Sequence, residues 1–393
     1  MGYGPDLPCP IPDELWASLK RFPDDMQPFL SRPMDYASLS SRLQKLPVGR
    51  AAGRDGIPYE YFKFGPSSLR QYLLAAANAF FSGSHPIPES WLGGVVTLIP
   101  KTQGASTMKN FRPIANLLTS YKVCTAELTN RMARAFEEYG VWHGSQEGAR
   151  RSRNTRRQIF KLVKQLEDGQ RNKTLTVVAQ LDFQAAFTST NPRAVYRTFE
   201  AYGVPEQDIQ LVRRMHQGSW YSVANSFGES AACALDNGMK QGDPPSPVFY
   251  ISAKDPPLRM INALGKGWKL PEEEPMAVVP GWRDVVPRRG STSDPASLFV
   301  DDLSAVTMGT AADVHMQDIV VLIERWEPWS NIYLNRDKSF ISAIDYSQRT
   351  QVNVNILYRG RPLPQHPVDE PFRYLGVLVT LTLNFKFEKE REM

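Results

Sequence analysis

Short apolar runs alternate with turn residues along the chain, and both helical and strand periods occur. Leu69, Leu73, Leu74 and Ala77 recur at three- and four-residue spacing, which predicts a helix over Ser67–Phe81. A second helix is expected over Ala115–Tyr139, ending at Gly140, and a third over Thr155–Asp168, closed by Gly169. A fourth runs from about Ala311 to Trp326 and is expected to stop at Pro328. Val95–Ile99 reads as a strand stopped by Pro100, and Thr174–Ala179 as another that runs into Leu181-Asp182-Phe183. Ser297–Val306 places two apolar strands around Asp301-Asp302, a hairpin pattern. Asp55-Gly56-Ile57-Pro58 is a turn. Residues 1–44 are rich in proline and show no clear period beyond a short helix near Glu14–Phe22, so they read as an N-terminal extension. Residues 265–295 carry five prolines, with Gly281 and Gly290 among them, and read as an irregular surface insertion.

Composition bounds this picture. The 393 residues suffice for two or three domains, and 42% apolar with 22% charged residues is normal for a chain with a sizeable core. No apolar run is long enough for a spanning helix, and Met1–Pro12 lacks the apolar stretch of a secretory signal. Cys9, Cys124 and Cys233 lie far apart and fit neither a disulfide framework nor a zinc site. An intracellular protein is expected, with the nucleus as one option. Charge is concentrated. Between Ser145 and Leu175, nine cations face three acids, a net of +6 where the whole chain carries +5. Such a stretch attracts phosphates or forms a solvated helix face, and charge alone leaves both readings open.

The acidic positions carry the chemistry. Asp182 ends an apolar strand, and Asp301 and Asp302 sit at the tip of an apolar hairpin. A buried carboxylate without a partner is costly, so strand-end carboxylates call for a counter-charge. Oxygen ligands without nearby His or Cys favour Mg²⁺ or Mn²⁺. The alternative is a plain hairpin turn and a strand-end cap.

A series of blocks then becomes recognisable in order. It comprises Gly53-Arg54-Asp55-Gly56-Ile57-Pro58, Ile87-Pro88-Glu89-Ser90-Trp91, Leu98-Ile99-Pro100-Lys101 and Asn110-Phe111-Arg112-Pro113-Ile114. Gln146 to Thr155 follows, then Leu181-Asp182-Phe183 through Phe187, and Gln241-Gly242 with Ser246-Pro247. Phe299-Val300-Asp301-Asp302, Leu334-Asn335 with Lys338-Ser339, and Tyr374-Leu375-Gly376-Val377 close it. In these blocks the chain resembles the reverse transcriptase domain of non-LTR (LINE-type) retrotransposons, from about Gly53 to Val377.

The resemblance implies an α+β right-hand polymerase with fingers and palm, an antiparallel palm sheet backed by helices, and a missing thumb. Fingers are expected over 45–178, with a return through about 191–237, and palm over 179–393. The implied function is an RNA-directed DNA polymerase, a nucleotidyltransferase that extends a DNA primer on an RNA template from deoxynucleoside triphosphates. Asp182, Asp301 and Asp302 would hold two Mg²⁺ ions (or Mn²⁺), and Lys338 would protonate the leaving pyrophosphate. Lys101 and Arg112 would contact the triphosphate, Gln241 and Gly242 would underlie nucleotide and template, and Phe187 would lie beneath the incoming sugar. Arg150, Arg151 and Arg153 would touch the template, and Tyr374, Leu375 and Gly376 would place the primer end.

The chain departs from the family pattern at Ala185, where a lysine is usual, and at Thr188, where a second aspartate is usual. Asp243 brings negative charge after Gln241-Gly242, and Pro245 and Pro257 stand where leucines are common. Ala149 replaces an aromatic and Ser152 a glycine. These departures leave an alternative reading: a weak or inactive retrotransposon remnant that at most binds nucleic acid.

Overall fold

A computed structural model describes residues 13–101, 103–107, 110–184, 186–267 and 294–384. Helices and strands mix throughout, and the chain divides into two compact units, each assembled from separated stretches. The first comprises Met1–Ser18, Trp142–Ala186 and Lys254–Met393; the second comprises Leu19–Val141 and Phe187–Ala253.

The first unit is built on an antiparallel five-stranded sheet. Its strands run in the order Thr350–Gln351, Phe340–Asp345, Leu175–Leu181, Asp302–Met308, Ala296–Phe299. Leu175–Leu181 is central, and Val177, Val178 and Ala179 are wholly buried, so both of its faces are covered. Alternation along the strand assigns the faces. Val178, Val306 and Ile344 pack with Leu162 and Leu166 of helix Thr155–Arg171 in one cluster. Helix Ala312–Ser330 also packs on strands Leu175–Leu181 and Asp302–Met308. That helix runs through Pro328 instead of stopping there, because its end is set three residues later by Asn331 in the left-handed conformation at φ +57°. A proline in the last turn forfeits only one helical hydrogen bond.

In the second unit, strand Gly93–Pro100 pairs antiparallel with Phe111–Asn116 and parallel with Trp220–Asn225. Gly228–Glu229 and Cys233–Ala234 both pair with Trp220–Asn225. Pro113 is tolerated because Phe111–Asn116 is an edge strand. The expected helix from Ala115 therefore begins only at Thr119, since Ala115 and Asn116 pair with Val96 and Val95. Cross-strand pairing overrides local helix propensity at those two residues.

Two expected boundaries differ from the contacts. Within 1–44, read from sequence as an extension, residues 19–44 bury Leu19, Phe22, Phe29, Leu30, Met34, Leu39 and Leu43. Buried Asp208 accepts from the backbone N–H groups of Phe29 (2.7 Å), Leu30 (3.0 Å) and Ser31 (2.9 Å). Asn78 exchanges two hydrogen bonds with the backbone of Met34. The second difference concerns Trp142–Ala186, which falls with the later sheet, not with the residues before it. Most of the expected insertion at 265–295 lies outside the described residues. Among the described residues no helix is long and apolar enough to cross a membrane. Cys124 is buried and Cys233 exposed.

Candidate functional site

Strand register brings the acidic positions together. Leu181 pairs with Leu303 and Phe299 with Asp302, so Asp182 leaves the sheet beside Asp302 although 120 positions separate them. Asp301 lies in the turn between the two hairpin strands, behind Val300 at φ +59°. A β-branched residue in that region is strained, and its neighbours must hold it there. The bracing comes from Ser145–Gly148. Gln146 bridges Leu298 in parallel, the N–H of Glu147 donates to the Leu298 carbonyl at 3.0 Å, and Gln146 Oε1 accepts from Gly148 N–H at 2.8 Å. A Cβ on Gly148 would lie 2.2 Å from the Val300 nitrogen, so only glycine lets this loop reach the turn.

The other side of the centre is held by 333–339. The N–H of Asn335 donates to the Asp182 carbonyl at 2.8 Å, and the N–H of Asp182 donates to Ser339 Oγ at 3.1 Å. Lys338 Nζ stands 3.9 Å from Asp182 Oδ2 and is itself mostly exposed. Partial burial, then the charges of Asp301 and Asp182, push the Asp302 carboxyl up to about 6. Nearby, Lys254 is buried with its ammonium 2.9 Å from the centre of the Phe183 ring. Burial holds its amine well below the ordinary lysine range against the pull of Glu327 and Asp301. Lys254 was not singled out from sequence, because Asp255 and Arg259 beside it make the stretch read as mixed polar and apolar.

The second unit carries the expected nucleotide-contact residues. Arg112 pairs with Ile99, and Lys101 N–H donates to the Asn110 carbonyl at 2.8 Å. Both side chains are exposed, and alternation puts Lys101 on the same face as Ile99 and Arg112 at the open end of this hairpin. The Gln241 carbonyl accepts from Ala115 N–H at 2.7 Å, and Gly242 has φ +122°. A Cβ there would meet the Ala115 carbonyl oxygen at 2.6 Å, so the close backbone approach that this glycine permits is to its own sheet. Asp243 turns inward: Tyr121 Oη donates to it at 3.0 Å, and burial pushes its carboxyl up to about 6 despite Lys240. Phe187 is half-buried, its ring centre 5.0 Å from that of buried Tyr250.

Residues 99–379 match the family described as reverse transcriptase (RNA-dependent DNA polymerase). The chain belongs to the reverse transcriptase family. It is 27% identical over 275 residues to the transposon TX1 uncharacterized 149 kDa protein of Xenopus laevis, covering 70% of this chain and 21% of that protein. It is 24% identical over 348 residues to the retrovirus-related Pol polyprotein from type-2 retrotransposable element R2DM of Drosophila melanogaster, covering 87% of this chain and 30% of that protein. The chain thus spans less than a third of the length of either relative.

Other positions of this reverse transcriptase domain differ from their expected placement. Arg150 is buried: its guanidinium donates to the carbonyls of His143 (2.8 Å) and Gln146 (2.7 Å) and lies over the Trp142 ring. It braces the loop that supports the Asp301 turn and offers no charge to a template. Arg153 and Arg157 face buried Glu147 at 3.7 and 3.2 Å, whereas Arg151 is exposed. Tyr374 is also buried, which pushes its hydroxyl up, and only Gly376 of the Tyr374-Leu375-Gly376 turn is exposed. Leu375 at φ +49° and Gly376 at φ +93° make the tight turn between strands Phe372–Tyr374 and Val377–Val379. Ala149 and Ser152 both sit at φ +57°, a region that a glycine would occupy without strain.

Among the described residues, no group of three or more His, Cys, Asp or Glu side chains is drawn together as a metal cluster. The donors at the carboxylate centre nonetheless fit a hard divalent cation. They are oxygens at or beside strand ends, and burial, then the charges of Asp301 and Asp182, raise the Asp302 carboxyl, a cost that a cation would relieve.

Proposed function

We propose that this domain is the polymerising core of a non-LTR retrotransposon reverse transcriptase, adding deoxynucleotides to a DNA primer on an RNA template. The observation that carries this reading is the convergence of Asp182 with the Asp301-Asp302 turn at adjacent strand ends, the first held by 335–339 and the second by the loop at Gln146–Gly148. The first unit takes the palm role and the second the fingers role. Asp182 and Asp301, with Asp302, would hold two Mg²⁺ ions. When bound, these supply a Lewis acid for the primer hydroxyl and charge neutralisation for the leaving pyrophosphate. Lys338, beside Asp182 and open to solvent, donates a proton to the pyrophosphate as it departs. Lys101 and Arg112 grip the triphosphate, Arg112 in bidentate fashion. The half-buried Phe187, backed by Tyr250, excludes a 2′-hydroxyl by overlap.

Primer extension on poly(rA)/oligo(dT) with Mg²⁺ or Mn²⁺ tests this reading. Metal-dependent incorporation is expected, lost in Asp301→Ala. Nucleic-acid binding without incorporation would favour the inactive remnant.

A further inference from the structure

Glu327 is a carboxylate with no access to solvent, on helix Ala312–Ser330. Its Oε1 accepts from the N–H of Leu334 at 2.7 Å and from Tyr358 Oη at 2.7 Å. Its Oε2 accepts from Arg359 Nη2 at 2.7 Å and Nε at 3.1 Å. A buried acid is tolerated only when so fully satisfied, which makes the geometry of this group rigid. Leu334 in turn bridges Phe183, and its carbonyl accepts from Gln184 Nε2 at 2.9 Å. The N–H of Gln184 donates to the Tyr333 carbonyl at 2.8 Å, and that of Asn335 to the Asp182 carbonyl at 2.8 Å. The residues after strand Leu175–Leu181 thus have their backbone fixed by 333–335, whose middle residue hangs on Glu327.

We infer that Glu327 is a positioning residue for Asp182, fixing that carboxylate through the backbone of Leu334. The partners of Glu327 described above do not include Asp182. Its effect on Asp182 passes through the Leu334 bridge, apart from the pull it exerts on Lys254, and Arg359 and Tyr358 hold it from the far side. The inference deepens the polymerase reading, on which its kinetic test rests.

Glu327→Gln keeps the shape but turns an N–H₂ toward either Arg359 or Leu334, setting donor against donor. Hydrogen exchange of the peptides spanning 180–184 and 332–336 should accelerate roughly tenfold as the bridge opens more often. In primer extension kcat should fall roughly 10–100-fold, the cost of a small misplacement of a reacting group, while KM for the nucleotide stays within about twofold. Adding Arg359→Met to Glu327→Gln removes the competing donor and should restore exchange protection at 180–184. A variant that melts earlier yet keeps wild-type exchange at 180–184 and wild-type kcat would overturn the inference, leaving Glu327 a purely structural acid. If Glu327→Gln does not fold, Tyr358→Phe, which removes one donor to the same carboxylate, is judged by the same two measurements. Absence of incorporation by the wild-type domain would refute the polymerase reading alone, because the exchange measurement still decides the coupling.

Discussion

Arg150 and Arg112 are both arginines next to a turn, one in each unit, and the fold treats them in opposite ways. Arg150 is buried, and its guanidinium donates to two backbone carbonyls under the Asp301 turn. Arg112 lies on an edge strand with its side chain exposed, on the same face as Lys101. The difference follows from what surrounds each. The loop after Trp142 turns the carbonyls of His143 and Gln146 toward Arg150, and a guanidinium supplies several donors in a fixed fork. The hairpin of Arg112 has its backbone already paired, so the side chain is left for solvent or a ligand. A cation thus serves the fold where backbone acceptors are free to take it, and stays exposed where they are not.

That contrast can be broken most directly at Arg150. Arg150→Ala should cost about 2–3 kcal/mol of stability, read from denaturant unfolding, because the buried Gln146 carbonyl loses this donor, the His143 carbonyl loses one of two, and the contact to Trp142 goes with them. The salt dependence of nucleic-acid binding should not change. In Arg151→Ala the pattern should invert, with stability within about 0.5 kcal/mol and the salt slope lower by about one. A flattened salt slope in Arg150→Ala would erase the distinction.

The reciprocal experiment is Arg112→Ala. It should lower kcat/KM for the nucleotide roughly 10–100-fold while leaving unfolding unchanged within about 0.5 kcal/mol. A loss of stability with unaltered kinetics would assign Arg112 to the fold as well.

Asp243 gives the smallest and most specific effect. It is an inward-turned acid near the expected nucleotide contacts of the second unit. Its carboxyl is raised from 3.8 to about 6, so the folded chain holds a proton there that the unfolded chain has released. Stability should therefore fall as pH rises from about 4 to about 6 and level off above. Lys240, held down to about 8, titrates outside that window. Asp302 is raised into the same range and keeps its own share of the fall in Asp243→Asn, but the share due to Asp243 should vanish, so the melting temperature of the variant relative to the wild type should climb between about pH 4 and 6.5. A difference independent of pH would show that Asp243 is not buried in its charged form.

Much of the carboxylate centre was legible in the sequence. Apolar strands ending in Asp182 and in Asp301-Asp302 announce carboxylates at sheet ends, and the central strand and hairpin formed where their patterns predicted. Strand Phe340–Asp345, the other neighbour of Leu175–Leu181, went unread, although it completes the sheet. The direction of a side chain was not legible either. Nothing in the run from Arg150 to Arg157 distinguishes a guanidinium facing Glu147 from one facing water, because that depends on which loop lies beneath. Glu327 and Lys254 escaped notice for the same reason, since burial of a lone charge is decided by tertiary neighbours far along the chain.

The hold of Asp208 on Phe29, Leu30 and Ser31 spans 177 to 179 positions. A chain made from its N-terminus exposes Phe22, Phe29 and Leu30 long before the residue that anchors them exists. At about 5–20 residues per second, the wait is roughly 10–35 s of synthesis. During that time the aromatic segment must be shielded by transient collapse or by a chaperone. The second unit therefore cannot complete the packing of this segment until Asp208 has been made.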